Sequence, residues 1–158
     1  MMTPHDATSG LSLRPATAAD VPRVTELVDA AYGHYVERLG GPPRPMTDDY
    51  AEVVRSGGMT VAERAGVIIG LIVLGVGAEG FVIDNVAVDP AYRGSGVGRA
   101  LLEFAEAEAR AAGFDSIYLY THERMTENVA LYSRIGYVEY ARRLHGEARI
   151  VYLRKRLS

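Results

Sequence analysis

The sequence predicts an α/β (α+β) domain built on a single mixed, mostly antiparallel β-sheet flanked by helices. Three observations carry this prediction. Apolar residues recur at helical spacing over 17–31 and 97–109, and at a period of two over 59–88, 116–121 and 137–156. The period-two stretch at 59–88 is interrupted only by tight turns, which makes it an antiparallel meander. The run from Phe81 to Thr121 reads strand, glycine-rich turn, helix, strand, and so implies a parallel, right-handed crossover.

The elements follow in order. Leu11 to Arg14 alternates apolar and polar as a short strand. Thr17 with Asp20 forms a capping-box pattern that opens a helix with Val21, Val24, Leu27, Val28 and Ala31 on its apolar side. Pro22 falls in the tolerant first turn. Gly33, Gly40, Gly41, Pro42, Pro43 and Pro45 then prevent that helix from continuing intact. A second short helix is expected from Thr47, as its cap, to Arg55, ended by Ser56, Gly57 and Gly58. Met59–Arg64 and Val67–Val76, joined at Ala65-Gly66, read as a hairpin. Phe81–Val88 is the next strand, apolar enough to be central and stopped by Asp89-Pro90. The following helix sets Val97, Leu101, Phe104 or Ala105, and Ala109 on one face and ends at Gly113. Ser116–Thr121 is a strand, Met125–Ile135 a shorter helix, and Tyr137–Leu144 with Ala148–Arg156 a closing hairpin.

Composition narrows the function classes. A chain of 158 residues suits one domain with a proper core, here 11–158, preceded by a polar tail at 1–10 expected to be flexible and lacking an apolar signal core. A net charge of -3 gives no general case for nucleic acid or a membrane surface, and no apolar run approaches the roughly 20 residues of a span. With no cysteine there is no disulfide, thiolate metal site or cysteine nucleophile, which fits a cytoplasmic protein. No metal site is expected.

The densest chemical signal is the turn Arg93-Gly94-Ser95-Gly96-Val97-Gly98-Arg99. Small residues entering a helix leave backbone N–H groups pointing outward with the helix dipole behind them, a cradle for phosphate. It is not a dinucleotide fingerprint: after Gly94 and Gly96 the third glycine position holds Arg99. It also lies mid-chain after an antiparallel meander, and it lacks the Gly-Lys-Ser/Thr ending of a P-loop.

These residues resemble those of the GCN5-related N-acetyltransferase (GNAT) superfamily. Arg93-Gly94-Ser95-Gly96-Val97-Gly98 matches its Gln/Arg-x-x-Gly-x-Gly/Ala signature, Val86-Ala87-Val88-Asp89-Pro90 its central strand and exit, and Ala130 to Tyr137 its second acyl-CoA segment. The likeness runs from Leu11 to Leu157 in element order and from Phe81 to Tyr137 in motif detail. It implies that fold, with acetyl-CoA as cosubstrate. The N–H groups of Gly94 to Arg99 would hold the pyrophosphate, with Arg93 and Arg99 either adding charge or lying solvated. Val86, Ala87 and Val88 would pair with the pantetheine arm as an added strand. The N–H of Val86 would face the oxyanion. Tyr132 matches the tyrosine that protonates the departing thiolate. Asn128 lies one turn before it, where many relatives have an asparagine about two turns before, a position filled here by Met125.

Attack requires a neutral amine and therefore a base. Asp84 interrupts an apolar strand two residues before Val86, on the same face, and is either that base or a carboxylate satisfied by polar neighbours. His122 is a backup base. The acceptor is expected to meet the segment from Gly33 to Met46 and the residues around it: Tyr32, Tyr35, Glu37, Tyr120 and His122. Two functions follow. One is an N-acetyltransferase acting on a primary amine of a small molecule or peptide in a ternary complex. The other is a non-catalytic acyl-CoA-binding module acting as a sensor or partner protein. Monomer and homodimer both fit, the Tyr- and Arg-rich final hairpin being the surface a dimer would use.

Overall fold

The period-two segments become the seven strands of one mixed sheet in a computed structural model that describes residues 10–158. The strands are Leu11–Pro15 (β1), Met59–Arg64 (β2), Val67–Gly77 (β3), Gly80–Val88 (β4), Ser116–His122 (β5), Val138–His145 (β6) and Ala148–Arg156 (β7). Their order is β1-β2-β3-β4-β5-β7-β6, so β4 is the middle strand. The pairings β1–β2, β2–β3, β5–β7 and β6–β7 are antiparallel, whereas β4 and β5 run parallel. The helices are Val21–Tyr32 (α1), Tyr35–Leu39 (α2), Tyr50–Arg55 (α3), Val97–Ala111 (α4) and Thr126–Arg134 (α5). Apart from Gly10, the expected tail lies outside the described residues. Among the described residues no helix is long and apolar enough to cross a membrane.

The chain divides into two compact units. One is the described chain up to Val73 together with Asn85–Phe104; the other is Leu74–Asp84 together with Ala105–Ser158.

In the first unit the apolar stripe of α1 is buried at Val24, Leu27 and Val28, as are Val61, Ile69, Leu71 and Ile72 on β2 and β3. Gly70 allows α4 to approach β3 closely. A Cβ there would stand 3.0 Å from Val97 Cγ1, 3.1 Å from Leu101 Cδ1 and 3.3 Å from the Ala87 carbonyl oxygen. The exit of β4 is tied down from α1: Arg23 bonds Asp89 at 2.7 Å and the Ile68 carbonyl at 2.9 and 3.1 Å, and the other Asp89 oxygen accepts the Ala91 N–H.

In the second unit Ile117, Leu119, Val151 and Leu153 are buried, as are Ala105 and Ala109 of α4, so Ala105 rather than Phe104 takes the core position. The other face of these strands gathers Val82, Tyr118 and Tyr152, with Tyr120, Ala141 and Ile150 against them. Lys155 on β7 reaches the buried carboxylate of Glu106 on α4 at 3.0 Å.

Two helix starts differ from expectation. The segment Arg44–Thr47 is a 3-10 turn, and α3 begins only at Tyr50. Asp49, not Thr47, is its cap, accepting the N–H groups of Ala51 and Glu52, while the Thr47 hydroxyl is spent on the Arg44 carbonyl. Similarly α5 begins at Thr126, with Met125 at the cap.

The Thr17–Asp20 box is present, but it opens a 3-10 turn at Ala18–Asp20 that leads into α1 at Val21, and it is extended by Arg14. One Asp20 oxygen accepts the Thr17 N–H at 2.7 Å and the Arg14 guanidinium at 2.8 Å, and Arg14 also meets Glu63 on β2. The Arg14 bonds, with those of Thr17, hold the buried Asp20 carboxyl far below the usual carboxylate range, against the opposing effect of burial. A depressed folded-state pKa contributes stability that is present above the unfolded value of about 3.9 and lost as pH falls below it. Asp20→Asn should therefore destabilise the protein at pH 7 by about 1–3 kcal/mol. Denaturant midpoints measured from pH 7 to pH 2 should fall less steeply for the variant than for the native chain.

Candidate active site

The glycine turn lies entirely in the first unit. Gly94 and Gly96 adopt left-handed backbone (φ 77° and 90°), a conformation that disfavours any side chain. A Cβ at Gly94 would meet nothing within 4 Å. These two residues turn the chain into α4, whose first N–H groups at Val97, Gly98 and Arg99 have no partner in the helix; the Ala100 N–H is the first to return, to Gly96 O at 3.0 Å. The dipole of a 15-residue helix stands behind the turn. Arg93 and Arg99 are exposed, and Arg93 reaches the Ala31 carbonyl at the end of α1 at 3.3 Å.

Along β4 burial alternates: Ile83, Asn85 and Ala87 are buried, while Asp84, Val86 and Val88 are half-buried. The parallel ladder with β5 holds Phe81–Ile117, Val82–Tyr118 and Ile83–Leu119, and β4 then runs on to Val88 beyond it. Asp84 and Tyr120 are the next residues on each strand, and the Tyr120 hydroxyl donates to an Asp84 oxygen in a very short hydrogen bond. The carboxylate in the middle strand therefore has a polar partner.

The remaining predicted residues are distributed as follows. Tyr132 is buried on α5, edge-on to Tyr137 at 6.0 Å. Asn128 Nδ2 points to the sulfur of Met125 at 3.7 Å. Tyr35 is buried, its ring centre 3.9 Å from that of His34 and 5.1 Å from the Arg38 guanidinium; Glu37 is exposed on α2. Burial, reinforced by Arg124 and opposed by Glu123, lowers the His122 pKa, so the ring is neutral at pH 7. Its Nδ1 accepts the Arg124 N–H at 3.1 Å, which uses the basic nitrogen and leaves the proton on Nε2.

Residues 22–137 match the Acetyltransferase (GNAT) family. The chain belongs to that family. It is 37% identical over 90 residues to the mycothiol acetyltransferase of Thermobispora bispora, and 36% identical over 81 residues to the IAA acetyltransferase of Azospirillum brasilense. These alignments cover 52% and 50% of this chain but only 30% and 53% of those proteins. Among solved structures, PaiA N-acetyltransferase from Thermoplasma acidophilum in complex with coenzyme A superposes with a TM-score of 0.76 at 15% identity, over 92% of this chain and 98% of that one. At that identity the likeness establishes the GNAT fold.

In this GNAT chain the side chain that sequence reasoning missed is Asn85. Asn85 Oδ1 accepts the Tyr32 hydroxyl at 2.8 Å and its Nδ2 donates to the Tyr50 hydroxyl at 3.0 Å. The signal was available, since Asn85 alternates with Ile83 and Ala87 and is therefore polar at a core position.

The GNAT tyrosine segment holds one further oddity. The hydroxyl of Tyr137 is buried and finds no hydrogen-bond partner among the described residues. Burial, with Glu106 and Tyr132 nearby, raises its pKa well above the ordinary tyrosine value, so it stays neutral. An unpaired buried hydroxyl costs about 1–3 kcal/mol. Tyr137→Phe should accordingly raise the melting temperature by a few degrees, on the order of 2–4 °C per kcal/mol for a domain of this size. A lower melting temperature would reveal a partner for that hydroxyl.

Proposed function

We propose that this chain is an acetyl-CoA-dependent N-acetyltransferase that acts on a primary amine of a small molecule or peptide, with residues 11–158 serving one catalytic domain. The observation that carries the reading is the turn at Gly94 and Gly96, whose left-handed backbone opens the N–H groups at the start of α4, beyond the middle strand and the 3-10 turn Pro90–Tyr92. Its family supports the same donor.

Bound acetyl-CoA would supply an acyl carbon activated by its thioester. The N–H groups of Gly94, Gly96, Val97, Gly98 and Arg99 would hold the pyrophosphate; the Ser95 N–H, expected to join them, is instead given to the Tyr92 carbonyl at 3.3 Å, so Ser95 would only shape the turn. Val86, Ala87 and Val88 would pair with the pantetheine amides. Asn128 would contact the same arm. Asp84 is the proposed base, with Tyr120 holding one of its oxygens. The amine nitrogen bonds the acyl carbon as the carbon–sulfur bond breaks. One amine proton passes to Asp84, and the Tyr132 phenol gives its proton to the departing sulfur. The Val86 N–H faces the negative charge that develops on the acyl oxygen. With the basic nitrogen of His122 already used, Asp84 is favoured over it as base. Tyr35, Glu37, Tyr120 and His122 would border the acceptor, and Tyr32 would act through Asn85 and Val86.

The test is CoA release from acetyl-CoA across a panel of amines. Tyr132→Phe should lower kcat about a hundredfold or more while leaving acetyl-CoA affinity within about twofold. Gly96→Glu should abolish acetyl-CoA binding in a protein that still melts cooperatively. Tight acetyl-CoA binding without turnover on any amine would instead indicate a non-catalytic acyl-CoA-binding module. Binding that survives Gly96→Glu would sink the cradle assignment.

A further inference from the structure

Asn85 enters the scheme above only as the contact of Tyr32, yet it occupies a core position of the middle strand. Its residue is 6% exposed, and both ends of its amide are engaged by tyrosines that are themselves buried, Tyr32 at 9% and Tyr50 at 4%. The network extends at both ends. The Tyr32 hydroxyl also lies 3.0 Å from the Val86 carbonyl, and its single proton is shared between that oxygen and Asn85 Oδ1. The Tyr50 hydroxyl donates onward to the Pro45 carbonyl at 2.5 Å. One connected chain therefore runs from Pro45, through Tyr50, Asn85 and Tyr32, to the backbone of Val86.

Filling the core does not require this. An apolar residue would fill the position as Ile83 does, without burying an amide that is costly unless paired. What the amide provides is direction. Residues of β4 after Ile83 lie beyond the parallel ladder with β5, so that neighbour does not fix their peptide planes. The one Tyr32 hydroxyl bonds the Asn85 side chain, carried by the residue before the Asn85–Val86 peptide, and the carbonyl of Val86, the residue after it, so the peptide is held at both of its ends.

We infer that Asn85 is a positioning residue: with Tyr32 it fixes the Asn85–Val86 peptide, and through Tyr50 it ties that peptide to the Pro45 segment. The inference rests on the acetyltransferase reading, in which the Val86 N–H faces the acyl oxygen and the segment up to Met46 borders the acceptor. The network holds the N–H at a fixed angle before the donor arrives, and a shift at Pro45 is felt at Val86. The pyrophosphate cradle is outside the network.

That separation gives the test. Asn85→Ala risks unfolding, so the primary variant is Tyr32→Phe, which removes only the hydroxyl, and the second is Tyr50→Phe. Each is titrated by calorimetry with acetyl-CoA and with 3′-phospho-ADP, the half of CoA that lacks the pantetheine and acyl groups, alongside melting curves. In folded variants acetyl-CoA affinity should fall about tenfold while 3′-phospho-ADP affinity stays within about twofold. Parallel loss of both ligands, or no loss of acetyl-CoA, overturns the inference, because a merely structural role does not discriminate between them. If the native protein binds no acetyl-CoA, the acetyltransferase reading itself falls, and that failure is visible without any variant.

Discussion

Val97 and Leu101 of α4 lie so near Gly70 of β3 that a single methyl at residue 70 would press on both and on the Ala87 carbonyl. This contact sets the depth at which α4 sits in the first unit. Helix N-termini attract anions only if their first N–H groups are left open, and those groups open onto a ligand only if the helix is held firmly behind them. Here the start of α4 is held by its own apolar side chains, Val97 and Leu101, while a Cβ at Gly94 before it would meet nothing. The approach to the turn is braced separately, by Arg23 on Asp89. A backbone site of this kind is rigid because its supports are buried, and it carries little sequence information beyond the smallness of the residues in it.

The middle strand faces a harder demand. It must fill a core on one side and present polar chemistry on the other, and its alternation of burial from Ile83 to Val88 follows from that. Polar residues on both faces are each answered by a tyrosine. Asp84 is met by Tyr120 in the second unit, and Asn85 by Tyr32 and Tyr50 in the first. A tyrosine suits this role because its ring fills apolar space and its hydroxyl delivers one directed hydrogen bond at the end of a stiff lever. Ten tyrosines in the chain then look less like a uniform supply of core aromatics. Tyr137 stands apart from them, with a buried hydroxyl that none of the described side chains answers.

What the sequence by itself determined was local. The glycine turn, the alternation in the strands, the Thr17–Asp20 box and the limits of most elements depend on residues a few positions apart, whose geometry is set by backbone sterics and short hydrogen bonds. It did less well at Thr47, because two residues, Thr47 and Asp49, were available as caps and the choice depended on the 3-10 turn before them. Only the tertiary structure decided which polar groups meet. Asp84 and Tyr120 are 36 residues apart, Asn85 and Tyr50 35, and Asn85 and Tyr32 53. Such pairs are fixed by strand register and by helix placement. A slip of one residue would turn each side chain to the opposite face, so no spacing along the chain encodes them.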